Sequence, residues 1–220
     1  MEEDRTAGAA GSSRSRPRAR REAEVEFARV VAFTDGVFAI AITLLVLGLD
    51  VPRSAHDLWQ ALLDQRQSLF AYALSFAVLG RLWISHHGFF GGLQSFDRVL
   101  IALNLVYLAW IAVVPFTSEL LGNYTDQAPS VIVYAVSVVG VTATFGAQIA
   151  YAYRRGLLEP DYRHAARTVD APGVFAVAMV FTASVPVALA SPTAAIVMWL
   201  ATAVIGNRLG ELIAGPAMGR

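Results

Sequence analysis

Six polar residues stand inside or at the edge of long apolar runs, where they could do chemistry: Arg29, Asp35, Arg81, His86, His87 and Asn104. Arg29 and Asp35 belong to RVVAFTDGVFAIAITLLVLGLD, residues 29–50, in which nothing from Gly36 to Leu49 is charged. Asp35 is thus one to two turns inside an apolar helix. A charge at the centre of a membrane helix costs about 2.5–3.5 kcal/mol on insertion scales and needs a partner or water. Arg29 and Asp35 are about 240° apart around a helix, so each must find partners on other elements. Three chemistries are open to this set: a structural clamp of hydrogen-bonded polar groups, a proton relay or pH sensor through histidine, or a metal site. Metal fits least, because adjacent histidines point about 100° apart on a helix and no cysteine or HxxxH spacing supports them. The clamp is favoured over the relay, since intramembrane polar groups need partners whether or not they act.

The elements that position these residues follow from composition. Of 220 residues, 56% are hydrophobic and 15% charged, too few charges for an ordinary soluble domain. The apolar residues come in blocks near the ~20 residues that cross a bilayer. The sequence therefore predicts an all-α integral membrane protein with six spans, at 29–49, 68–90, 99–121, 130–153, 172–190 and 193–213. The connector 53–66 has an LWQALL core that reads as a short interfacial helix with Trp59 at headgroup level. Ser191-Pro192 divides the last two spans, Pro186 is placed to kink the fifth, and Ala135, Ser137, Gly140, Ala143 and Gly146 in the fourth permit close helix packing.

Residues 1–28 are polar and rich in arginine and read as a disordered tail, with no cleavage site of a signal peptide and no nucleic-acid partner. Residues 214–220 form a second short tail. With six spans, the N-terminal tail, the 93–98 turn, the 154–170 loop and the C-terminus share one side, and nearly all loop arginines fall there. The positive-inside rule puts that side, and both termini, in the cytoplasm. There is no cysteine, which excludes disulfide and thiolate chemistry. No P-loop, GxSxG, HExxH or GxGxxG motif is present, so neither an enzyme nor a cofactor is expected. Absence of a TVGYG filter excludes a conventional potassium channel.

Depth then groups the polar residues. By helix rise Asp35 lies roughly 9 Å from the inner end of its span and Asn104 about 8 Å, while His86 and His87 close span two. Arg29, Asp35, one of the histidines and Asn104 can meet in one layer. Arg81 lies roughly 13 Å from the inner end of span two by the same rise, and no partner for it can be named. Above the layer, Ile40, Thr43, Leu44 and Leu47 follow the i, i+3, i+4, i+7 pattern of one helical face. Core packing is the ordinary meaning of such a face. If copies of helix one surround an axis, the same residues stack as isoleucine, threonine and leucine rings, a hydrophobic constriction of the kind that gates or filters ions.

RVVAFTDGVFAIAITLLVL resembles the helix-one signature, R-x-x-x-F-S-D-G followed by an apolar run, of the transmembrane-protein-175 family of potassium channels. YALSFAVLGRLWISHH and LNLVYLAWIAVVPF are similar to later segments of its bacterial members. The resemblance covers residues 29–121; Thr34 stands where the family usually has serine, and both carry a hydroxyl. It implies a six-helix subunit in a homotetramer, with helix one lining a central pore. It implies Ile40 as the main constriction, Thr43 as a polar ring, and Leu44 and Leu47 as further apolar layers. It also implies that Arg29 and Asp35 hold helix one in place, with Trp83, His86 or His87, and Asn104 as partners. The expected activity is passive, weakly potassium-selective conduction in a bacterial-type plasma membrane, with no cofactor and no bound metal. The alternative is a proton-coupled secondary transporter using Asp35 and a histidine. A membrane enzyme built on the histidine pair would need a nucleophile that the sequence does not offer.

Overall fold

Backbone polar groups in a bilayer have no water to bind, so a long apolar run is driven into a helix that satisfies them internally. The computed structural model describes residues 12–52, 58–165 and 171–201, and those residues are nearly all helical. In chain order they form α1 (Ser12–Leu44), a 3-10 turn (Leu45–Gly48), α2 (Leu58–Asp64), α3 (Arg66–Gly91), α4 (Arg98–Asn123), α5 (Ala128–Arg155), α6 (Pro160–Ala165) and α7 (Ala171–Ala190). A further apolar helix, α8, is described over Pro192–Ala201. Five helices are long and apolar enough to cross a membrane: Val25–Gly48 within α1 and its 3-10 turn, α3, α4, α5, and Gly173–Ala190 within α7. The rest of the expected sixth span, and the C-terminal tail, lie outside the described residues.

The boundaries differ from the expected ones chiefly in α1. Helix begins at Ser12, ahead of Arg29, and α-geometry stops at Leu44 rather than Leu49. The last turn tightens to 3-10, and Leu49 leaves it in extended backbone with its N–H bonded to Val46 O at 3.1 Å. Such tightening satisfies carbonyls at a helix end that Asp50-Val51-Pro52 forbids from continuing. Pro186 does not break α7, which runs on to Ala190. Within the 154–170 loop, read as polar connector, residues Pro160–Ala165 form α6.

Internal contacts separate residues 1–36 from residues 37–220. In the first unit Thr34 is buried and its hydroxyl donates to Val30 O at 2.9 Å, while Arg29 is exposed and Asp35 half-buried.

In the second unit the 3-10 turn packs on α3 and α4, α3 on α4, α4 on α5, and α5 on α7. The α4–α5 contact is close because Gly140 faces Trp110, whose ring would overlap any Cβ there. Small residues let membrane helices approach in this way. Interhelical hydroxyls add bonds: Thr117 and Ser137 at 3.1 Å, Ser75 to Tyr134 Oη at 3.1 Å, Ser118 to Ala71 O at 3.2 Å. Tyr134, Phe181 and Trp199 form the aromatic heart of one core, with the Phe181 and Trp199 rings stacked 4.8 Å apart.

At the opposite end of the bundle, the turn after α3 is tied to the loop after α5. Leu93 and Leu158 make an antiparallel bridge, flanked by Gln94 N–H to Leu157 O and Glu159 N–H to Gly92 O, both 2.9 Å. Gly156 ends α5 at φ 68°, the left-handed conformation that glycine adopts without strain. Asp97 caps α4, accepting from Leu100 N–H at 2.9 Å, and accepts a second bond from Tyr151 Oη at 2.6 Å. These bonds, the Tyr151 one foremost, hold the Asp97 carboxyl below its ordinary value of 3.8.

Candidate functional site

Within the 37–220 unit, helix one has two unlike faces. Phe38, Ala41 and Leu45 are buried. They stand at i, i+3 and i+7, one side of an α-helix. Ile40 (61% exposed), Leu44 (42%) and Leu47 (74%) are open, and Thr43 is exposed with them. At 100° per residue this second set is centred about 140° from the first. The buried set seats the helix; the open set is left uncovered by the described residues. Leu47 is no longer on α-helical geometry, because the chain is 3-10 from Leu45. It nonetheless stays exposed.

Thr43 has a constrained hydroxyl. Its Oγ1 reaches Ala39 O at 3.0 Å and Ile40 O at 2.9 Å. The hydroxyl proton is thus used on the helix's own backbone, a common state of threonine in helices. What Thr43 presents outward is oxygen lone pairs, which accept a proton donor or a cation.

Behind Phe38 lies a buried polar group in an aromatic enclosure. His86 Nε2 and Asn104 Oδ1 are 2.9 Å apart and both residues are buried. Tyr107 stacks on the His86 ring with centroids 4.8 Å apart and planes 6° from parallel, and Phe90 stacks on it at 4.4 Å. Phe145 approaches at 5.7 Å and Phe38 at 6.2 Å. Each aromatic pair contributes about 0.5–1.5 kcal/mol beyond its burial.

Of the residues expected in one polar layer, the structure brings His86 and Asn104 together. His87 is exposed and its ring lies 5.4 Å from that of Trp83, which is also exposed. The two histidines thus turn to different surroundings, as their 100° separation on a helix dictates. Arg29 and Asp35 belong to the 1–36 unit and are described with it. Among the described residues no group of three His, Asp or Glu side chains is placed to hold a metal ion. Sequence reasoning missed Phe38, Tyr107 and Phe145, whose apolar spacing is that of any core position.

These features can be set beside known proteins. The family described as "Endosomal/lysosomal potassium channel TMEM175" matches residues 29–115. A potassium channel of Streptomyces collinus is 41% identical over 154 residues, covering 67% of this chain and 71% of that one. The human endosomal/lysosomal proton channel TMEM175 is 34% identical over 109 residues, 45% of this chain and 22% of that protein. Among solved structures, the crystal structure of a lysosomal potassium-selective channel TMEM175 homolog from Chamaesiphon minutus superposes with a TM-score of 0.73. That match is 26% identical and covers 82% of this chain and 96% of that one. With its apolar membrane helices, its signature at residues 29–36 and a bacterial relative matched over most of its length, this chain is a multi-pass membrane protein that belongs to the TMEM175 family.

Proposed function

We propose that the protein is a passive, weakly potassium-selective cation channel whose pore is lined by helix one. The observation that carries this reading is the open, uncharged face of Ile40, Thr43, Leu44 and Leu47, set opposite a buried face on the same helix. Relatives named as potassium channels support the same reading. Four copies around an axis, in a homotetramer, would turn that face into stacked rings. Ile40 forms the main constriction, and Leu44 and Leu47 add apolar layers. An ion must shed water to pass an apolar ring, and potassium gives up hydration more readily than sodium. Without carbonyl ligands the preference is modest. The Thr43 oxygens, their protons turned to the backbone, replace part of the lost water. Arg29 and Asp35 hold helix one in place, and the His86–Asn104 contact stiffens the wall behind it. Conduction needs no cofactor and no covalent step. The channel sits in a plasma membrane with both termini cytoplasmic.

The test is ion flux in proteoliposomes, potassium against sodium, for the wild type and Ile40→Asn. A wild-type preference that disappears in Ile40→Asn supports the apolar filter. Flux that appears only with a proton gradient replaces it with the coupled transporter. In that case Asp35→Asn abolishes coupling, whereas a channel carrying this change still conducts.

A further inference from the structure

After Arg98, α4 carries no charge until Glu119, about 6 Å by helix rise from its end at Asn123. Glu119 is exposed, and no hydrogen bond or ion pair engages it among the described residues. An acid at a helix end is ordinarily a solvated surface group. What sets this one apart is its neighbour. A Cβ built on Gly48 would lie 3.5 Å from both Cβ and Cγ of Glu119. Gly48 follows directly on Leu47, the last residue of helix one's open face, and the chain leaves the helix at Leu49. Glu119 therefore stands beside the point where the open face ends.

The surroundings suit a charge that acts through water. A small cleft lined by Leu45, Gly48, Ser68, Tyr72, Ser118 and Glu119 has room for about one water. Ser68, Tyr72 and Ser118 carry hydroxyls, so the acid is set at a polar notch. The same end of the bundle has one prevailing sign. Among the described residues there, Asp50, Asp64 and Asp126 join Glu119, all exposed, against Arg66. The other end differs: Arg98, Arg154, Arg155 and Arg163 are exposed there beside Asp97, Glu159 and Asp161.

We infer that Glu119 determines the rate at which monovalent cations enter, by concentrating them at the mouth where helix one ends. This rests on the channel reading above, in which helix one lines the pore. The carboxylate holds no ion in a fixed site; it acts at a distance. A fixed charge attracts cations over a Debye length, about 30 Å at 0.01 M salt and about 3 Å at 1 M. Potassium and sodium carry the same charge, so Glu119 does not tell them apart. Preference stays with the apolar face, and the supply of ions to that face falls to Glu119.

The test is potassium and sodium flux in proteoliposomes of the full-length protein, at about 0.01 M and about 1 M salt. Wild type, Glu119→Gln and Glu119→Asp are compared. Glu119→Gln removes the charge and keeps the length that packs on Gly48. Its flux is expected to be about two- to threefold below wild type at low salt and equal to wild type at high salt. Its potassium-to-sodium ratio is expected to match wild type at both. Glu119→Asp, which restores the charge, is expected to restore the low-salt flux. A wild-type flux for Glu119→Gln at low salt overturns the inference. A loss of equal size at both salt concentrations, or one that Glu119→Asp shares, also overturns it, because packing and not charge is then at work. Flux of Ile40→Asn separates the two readings. If Ile40→Asn loses preference while Glu119→Gln matches wild type at low salt, only the Glu119 assignment fails. If Ile40→Asn keeps preference while Glu119→Gln shows the salt-dependent loss, only the filter assignment fails.

Discussion

Phe38 and Ile40 are two positions apart on one helix and have opposite surroundings. Phe38 is 1% exposed, with Tyr107 and His86 rings beside it; Ile40 is 61% exposed. Both are large and apolar, so hydropathy does not separate them. What separates them is which side of the helix the bundle covers. The covered side is built for fit: aromatic rings around a histidine whose Nε2 lies 2.9 Å from Asn104 Oδ1. The open side is built as a surface, uncharged but carrying one hydroxyl. On the proposed function, a change on the first side acts on stability, and a change on the second acts on what passes.

The sharpest way to break this comparison is to change the covered side. Phe38→Ala removes a ring from a packed enclosure and costs about 3–5 kcal/mol. Thermal unfolding in detergent should show a large drop in midpoint, whereas Leu47→Ala on the open side leaves the midpoint nearly unchanged. Equal losses for the two would mean that the faces are not distinct. Asn104→Leu comes next. It leaves a His86 ring nitrogen buried without its partner, a loss of about 1–3 kcal/mol, read in the same melt. Gly140→Leu is of similar size, about 1–3 kcal/mol of overpacking against Trp110, and is remote from the open face. The smallest effect belongs to Asp97. Asp97→Ala removes the α4 cap and costs about 0.5–2 kcal/mol. Because the Asp97 carboxyl is held below 3.8 in the folded protein, its contribution is present above that value. It is lost as pH falls through the lower folded value. A melt followed from pH 6 downward should lose stability there in the wild type and less so in Asp97→Ala.

Much of this arrangement was legible in the sequence, for identifiable reasons. Long uncharged runs bounded by Asp50-Val51-Pro52, Gly91-Gly92 and GNYTDQAP have few alternatives to membrane helices, and α3, α4 and α5 match them within about two residues. Depth along those helices put His86 level with Asn104. Depth did not say which of two adjacent histidines turns inward, since that depends on how α3 is rotated against α4. The rings around His86 were hidden because Phe38, Tyr107 and Phe145 are spaced like ordinary core residues. The 3-10 end of helix one was hidden because Leu45–Gly48 continues the apolar pattern without a break. The Leu93–Leu158 bridge joins short loop segments far apart in sequence, which no local period marks.

The most direct measurement is ion flux through the wild type and Ile40→Asn in proteoliposomes, with potassium and sodium compared under no other gradient. The wild type is expected to pass potassium faster than sodium. Ile40→Asn, with an intact melt, is expected to pass both at similar rates. An Ile40→Asn protein that keeps the wild-type preference would contradict the assignment of helix one's open face as the filter.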